Sequence, residues 1–441
     1  MPYQIVRAWK PIASCEQIRT HPDSKYHFFR YEEQKPEIAR ESSGQERRTS
    51  MNERSRIASH FAHSRDTQRL GLPLGHRIGQ LDSTSEYVTD ERFDRNPHDA
   101  LHRQLTVVDS YSAIVDLEQN LRGRINVIIE AFGVEEQYIA ETPELDPLAE
   151  PARGVKSWKP YFEGQDMVDR IRMNLDEHKR FAAAYDDHIE IAYTGAEVSR
   201  IVAEGKIAMI LMLVSGFIAE SLDVLAEFHR QGIRVICPSH LSATGWADSS
   251  AELNDPPGLS KFGRDVVRTC NELGVLIDLA HCSDYTCSDI LDVATKPTIV
   301  THTKVRSLSK SRRDMPDELV RRVAEGGGVV SVLAPTPRTS LERHQARRQR
   351  DDALQADYTD PFERARAKLA DAETWSTKLD LATIDHAVAI AGIDHVGLSS
   401  HAQSVPQWKE YTAALIEHGY TEADTAKIMG ENVIRVLKSA D

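Results

Sequence analysis

The chain has 441 residues, 40 % of them hydrophobic and 28 % charged, an ordinary globular balance with enough apolar side chain for one large domain or two. Its formal charge of −14 excludes a general nucleic-acid or anionic-membrane binder, since either needs a basic surface. No run of about 18 apolar residues predicts a membrane span. The five cysteines include no CxxC pair and the N-terminus has no continuous apolar stretch, so reduced thiols and a cytoplasmic location are expected.

In chain order, residues 1–95 come first and are rich in Arg, Glu, Ser, His and Gln, with no sustained strand pattern. They read as an N-terminal extension or arm, ordered at most against the rest of the chain or a partner, because they lack apolar residues for a core of their own. Residues 96–441 read as one domain. Eight β-branched runs recur there: LTVVDSY (105–111), INVIIEA (125–131), AMILMLV (208–214), RVICPSH (234–240), VLIDLAH (275–281), PTIVTHT (297–303), VVSVLAP (329–335) and HVGLSSH (395–401). Near-continuous apolar strands are what a parallel sheet covered on both faces requires. Between them lie helical stretches such as SLDVLAEFHRQG, SKFGRDVVRTCNELG and PDELVRRVAEGG, each ending in Gly, the usual helix stop. Eight βα units predict an α/β fold of the (β/α)8 TIM-barrel kind, with a doubly wound sheet as the weaker alternative. Two intervals exceed one helix and a loop. Residues 132–207 have room for extra helices around EGQDMVDRIRMNLDEHKRFAAAY, and 336–394 carry a charged insert, read as a solvated helical face or a lid.

Barrel enzymes work at the C-terminal ends of their strands. Four of these runs end on or next to a histidine: His240, His281, His302 and His401. Any one of them reads first as a hydrogen-bonded structural histidine. Four around one barrel mouth make a shared site, and imidazole suits a borderline metal such as zinc.

Six segments then carry a family resemblance. LHRQLTVVDSYSAI (101–114), SHLSATGWADSS (239–250), GLSKFGRDVVRTCNELGVLIDLAHCS (258–283), TIVTHTKVRSLSKSRRDMPDELVRRVAEGGGVVSV (298–332), AGIDHVGLSSHAQ (391–403) and GYTEADTAKIMGENVIRVL (419–437) resemble, in the same order, the motifs of the membrane (renal) dipeptidase family of the amidohydrolase group. The resemblance implies a zinc dipeptidase barrel that hydrolyses dipeptides with a hydroxide between two metals, and a homodimer as the default assembly. The family's metal ligands are a His-x-Asp after strand one, a Glu after strand three, a His after each of strands five and six, and an Asp after strand eight.

Carried over residue by residue, the set is uneven. His281 and His302 match the strand-five and strand-six ligands. His240 matches a substrate-contacting histidine, and Arg313 the arginine that binds the substrate carboxylate. Tyr111 and Ala113 stand in place of the His-x-Asp, Val214 in place of the Glu, and His401 in place of the Asp, so four of six ligand positions differ. Without carboxylates, two divalent ions lose the charge that holds them close together. The expected site is therefore at most one zinc per chain, on His281, His302 and His401 with an open water position, or no metal at all. His401 is alternatively the general base, His240 a catalytic partner, and Tyr111 a substrate contact in place of a ligand. Asp109 and Asp278 match acids that orient the ligand loops, Glu130 is a possible substitute carboxylate, and Cys282 a possible nucleophile beside His281, although small and buried is its plainer reading.

The resemblance and its departures imply three alternative functions. The favoured one is a dipeptidase-family hydrolase with a remodelled site, acting on a small carboxylate-bearing amide or dipeptide-like substrate; a lyase, cyclase or isomerase step on the same fold belongs to this class. The second is an inactive homologue that binds a ligand or a partner subunit. The third is an ordinary dipeptidase whose missing ligands come from elsewhere, for example from His60 and His63 of the arm.

Overall fold

The computed structural model describes residues 97–112, 120–121, 123–133, 152–153, 167–240, 242–334, 379–400 and 408–441. Residues 1–95, and the insert at 335–378, lie outside the described residues, as do Ala113 and His401.

The strands are β1 (Val108–Ser112), β2 (Val127–Phe132), β3 (Ala152–Arg153), β4 (Ile189–Ile191), β5 (Ile207–Leu213), β6 (Ile233–Ile236), β7 (Glu252–Leu253), β8 (Leu276–Ile277), β9 (Ile299–Thr303), β10 (Val329–Leu333) and β11 (Val396–Ser399). Parallel pairing runs β1-β2-β5-β6-β8 in one sheet and β9-β10-β11 in another. A parallel bridge from Asp278 to Ile299 joins the two. Ser110 Oγ lies 2.7 Å from the carbonyls of Thr301 and Leu398, tying β1 to β9 and β11. The eight long runs of the sequence are thus the eight parallel strands of a curled, TIM-type sheet, in chain order. Too short to leave a pattern in the sequence are β4, which pairs with the first residues of β5, and the two-residue ladder of β3 with β7.

The strands bury both faces. Along β2, Val127, Ile129 and Ala131 join Val108, Val235, Ile299 and Val329 in one apolar cluster, the barrel interior. Ile128 and Phe132 join Ile171, Leu175 and Phe181 of the helix Met167–Ala184 in the other, the layer between sheet and helices. The interval 132–207 does hold extra helices, Met167–Ala184 and Gly195–Ala203. Local chemistry sets the helix ends. Ser221, Ser260 and Ser283 each accept a backbone N–H at the start of the helices Leu222–Gln231, Lys261–Leu273 and Asp284–Val293. Gly274 ends the second of these at φ +75, where a Cβ would sit 2.5 Å from the Ala440 carbonyl oxygen. No helix among the described residues is long and apolar enough to cross a membrane.

One ion pair is buried where the chain leaves β9. Lys304, 2 % exposed, places Nζ 2.5 Å from Oδ2 of Asp380, which also caps the helix Leu381–Ala391 through Thr383 N. Taking the carboxylate away strips Lys304 Nζ of a buried ion-pair partner. Asp380→Ala is therefore expected to destabilise the chain by about 3–5 kcal/mol, whereas Lys304→Met with Asp380→Leu falls near neutral. Denaturant unfolding of the three proteins checks this, and equal losses in the single and double variants would refute it.

Candidate active site at the barrel mouth

The strands stop earlier than the sequence runs imply. β6 ends at Ile236, four residues before His240, and β8 at Ile277, four before His281. Pro238 has no N–H to give a ladder, and the N–H of Ala280 is taken by the Asp278 carboxylate. His240 and His281 therefore ride on loops beyond their strands, while His302 lies within β9. His281 adopts φ +65, a left-handed conformation uncommon outside glycine. Its carbonyl accepts Ser250 N at 2.7 Å, and its neighbour Cys282 bridges Ser249, so the segment 249–250 holds the turn in place. Strain held this firmly is common at functional sites.

The rings form a continuous row. The centroids of His240 and His281 are 4.0 Å apart, those of His281 and His302 5.0 Å, and those of His302 and Tyr111 3.9 Å. All four residues are buried. His281 Nε2 and His302 Nε2 face one another at 3.0 Å. Arg313 Nη2 donates to the His302 carbonyl at 3.3 Å. Five of the six predicted site residues, Tyr111, His240, His281, His302 and Arg313, are thus drawn together, and the sixth, His401, is outside the described residues.

Each member has a support. Asp278 Oδ1 accepts Ala280 N and Thr301 N, and its Oδ2 accepts the Thr301 hydroxyl at 2.6 Å. Thr301 Oγ1 in turn lies 2.9 Å from His302 Nδ1. Thr301 is a site residue that the sequence reading missed; its only signal is its place directly before His302. Burial pushes the Asp278 carboxyl up to about 6 against these bonds. The loop carrying Arg313 is strapped by Lys304 N to Asp314 Oδ1, by Met315 N to Thr303 Oγ1, and by the Arg306 guanidinium to Asp284 and to the carbonyls of Arg312 and Asp314. A small cleft beside it is lined by Cys282, Cys287, Arg306, Arg312 and Arg313, among others.

Asp109 holds the other side of the mouth. Its carboxylate accepts Ser400 N at 2.9 Å, the Ser400 hydroxyl and Tyr111 N. Burial raises it from an ordinary carboxylate's 3.8 to about 7, more than those bonds lower it. A carboxyl raised on folding contributes stability below its unfolded value and loses it as pH climbs to the folded one. The change is worth roughly 4 kcal/mol. Between pH 4 and 7 the wild type should therefore lose about that much more stability than Asp109→Asn, and parallel pH profiles in urea unfolding would refute it.

Two further sequence expectations meet the structure differently. Glu130 sits on the outward face of β2, with His178 Nε2 of the helix Met167–Ala184 3.6 Å from its Oε1, so it serves the sheet–helix layer rather than the mouth. Burial pushes its carboxyl up, against the pull of His178 and Ser112. Cys282 is buried, its Sγ 3.7 Å from the Ser239 hydroxyl, in keeping with the plainer reading.

The residues can be tested against zinc. A tetrahedral ion bound by two imidazoles at 2.0–2.1 Å holds their nitrogens about 3.3–3.4 Å apart. The facing Nε2 atoms of His281 and His302 are within a few tenths of an ångström of that span, so these two fit as ligands of one ion. Val214, in the place of the family's bridging Glu, is buried and has no donor. Among the described residues, no three His, Cys, Asp or Glu side chains form a metal-holding group.

The profile described as Membrane dipeptidase (Peptidase family M19) matches residues 96–441. The chain belongs to this dipeptidase family. Among relatives of the family, the dipeptidase tcpJ of Claviceps purpurea (strain 20.1) is 27 % identical over 326 residues, 68 % of this chain and 69 % of that one. The crystal structure of the probable dipeptidase PvdM from Pseudomonas aeruginosa superposes with a TM-score of 0.61 at 23 % identity, covering 78 % of this chain and 97 % of that one. A metallopeptidase from Rhodobacter sphaeroides, solved with a phosphinate mimic of L-Ala-D-Ala, gives 0.58 at 19 % identity, covering 76 % and 99 %. These structures share the dipeptidase fold.

Proposed function

We propose that the chain is a dipeptidase-family hydrolase with a remodelled site, acting on a small carboxylate-bearing amide or dipeptide-like substrate with a single zinc. The observation that carries this reading is the convergence of two imidazole nitrogens at 3.0 Å, with the Arg313 guanidinium on the backbone carbonyl of one of the two histidines. His281 and His302 would hold the ion, and His401, by its sequence position, is the third ligand or the base. When bound, zinc polarises the scissile carbonyl and lowers the pKa of a water. Arg313 pairs with the substrate carboxylate and fixes the direction in which the substrate enters. His240, whose tilted ring packs 4.0 Å from that of His281, would donate to the carbonyl oxygen. Tyr111, packed on His302, closes the site where the family has a ligand.

The test is zinc content by elemental analysis on protein purified without chelator, together with hydrolysis of a panel of dipeptides and N-acyl amino acids. About one zinc per chain with turnover supports the reading. Two zincs per chain return the ordinary dipeptidase, with ligands from elsewhere. A second reading, a ligand-binding homologue without turnover, is favoured by Val214 and Tyr111 at ligand positions, and it would show dipeptide binding by calorimetry with no hydrolysis.

A further inference from the structure

We infer that Thr301 is a positioning residue that passes the Asp278 carboxylate's demand for a proton on to His302, fixing that imidazole with hydrogen on Nδ1 and a bare Nε2. The inference follows from counting protons along one chain of contacts. A carboxylate has acceptors only. Asp278 takes its protons from Ala280 N, Thr301 N and, on Oδ2, from the Thr301 hydroxyl at 2.6 Å. Thr301 Oγ1 has a single hydrogen, and it is spent there. Toward His302 Nδ1, 2.9 Å away, the same oxygen can only accept. The hydrogen between them therefore belongs to the imidazole. A neutral imidazole carries one such hydrogen, so Nε2 is left with its lone pair.

That lone pair points at His281 Nε2, 3.0 Å away. In the metal-free protein, two bare nitrogens at this distance would repel, so His281 carries its hydrogen on Nε2 and donates it to His302. The two rings are thus opposite tautomers, and His302 alone is ready-made as a ligand. The relay is buried throughout: Asp278, Thr301 and His302 are all shut off from water, and no solvent competes for these protons. Burial of this kind makes the arrangement a fixed property of the fold, as outer partners of metal-binding histidines generally are.

The value of this relay for zinc rests on the function proposed above, but its test does not. Metal-free protein labelled with ¹⁵N-histidine is examined at pH 8 by long-range ¹H–¹⁵N correlation, with His302 assigned by its loss in His302→Gln. The wild type is expected to show a protonated Nδ1 and a far-downfield, bare Nε2. Thr301→Ser should keep this pattern, and Thr301→Val should lose it. In zinc competition titrations, Thr301→Val should bind about 10–100-fold more weakly than wild type, with Thr301→Ser within a few-fold. A wild-type His302 protonated on Nε2 overturns the inference, and so does a Thr301→Val spectrum unchanged from wild type. If Thr301→Val fails to fold, the wild type and Thr301→Ser decide it. A protein that shows the expected tautomer and binds no zinc keeps the relay and discards the metal reading.

Discussion

Replacing His302 by Ala is expected to strip the protein of zinc and to lower hydrolysis of its best dipeptide by more than about 10²-fold, since even outer partners of a ligand are worth 10–100-fold. His281→Ala is expected to do the same. Each of the two supplies one of the facing Nε2 atoms, and without it the other keeps at most His401 as a further ligand, too few to hold the ion. The two variants differ in what else they disturb. His302 is fully buried within β9, so its loss also empties core volume, whereas His281 sits on a loop. His302→Gln therefore accompanies His302→Ala: it fills much of the space and keeps a polar group facing His281 but offers no imidazole. Loss of zinc and activity in all three variants, with the Gln variant unfolding near the wild-type midpoint, assigns the effect to ligation. His240→Ala is the contrasting control. It removes a ring packed at a tilt against His281 but no facing nitrogen, and should lower turnover with zinc retained. Zinc retained in His281→Ala and His302→Ala together would remove the mononuclear site altogether.

What could be read from the sequence divides along physical lines. The eight barrel strands were legible because each is a β-branched run long enough to stand out, and the helix stops because Gly274 and Gly232 each take a positive φ. The ends of β6 and β8 were not. Runs such as RVICPSH and VLIDLAH continue in composition past the last ladder bond; Pro238 stops the first, and the proton demand of Asp278 with the left-handed turn at His281 stops the second. The side of the sheet that Glu130 faces was equally hidden. In a strand apolar on both faces, alternation carries no sign that separates barrel interior from helix layer. Tyr111, His240, His281, His302 and Arg313 were legible through motif order, and the barrel does gather them. Thr301 was not, because a hydroxyl's role depends on which way its one hydrogen points, and that is set by Asp278, 23 residues earlier.

Arg313→Ala is expected to lower kcat/KM about 10²-fold, mainly through KM, with zinc content unchanged. The guanidinium reaches the backbone of His302, with Nη2 on its carbonyl, from a loop tied down by Asp314, Met315 and Arg306. A preorganised fork of this kind binds a carboxylate through two charged hydrogen bonds, each worth about 1.5–3 kcal/mol. Arg313→Lys keeps the charge but not the fork and should recover only part of the loss. The decisive comparison uses the substrate with its carboxylate converted to the amide. Wild type should lose about as much on the amide as Arg313→Ala loses on the acid, while Arg313→Ala should treat acid and amide alike. The double cycle isolates the guanidinium–carboxylate pair from any general damage to the loop, because such damage lowers both substrates together. If Arg313→Ala still prefers the acid by the wild-type factor, the carboxylate is read by another residue, and the orientation proposed for the substrate is reversed.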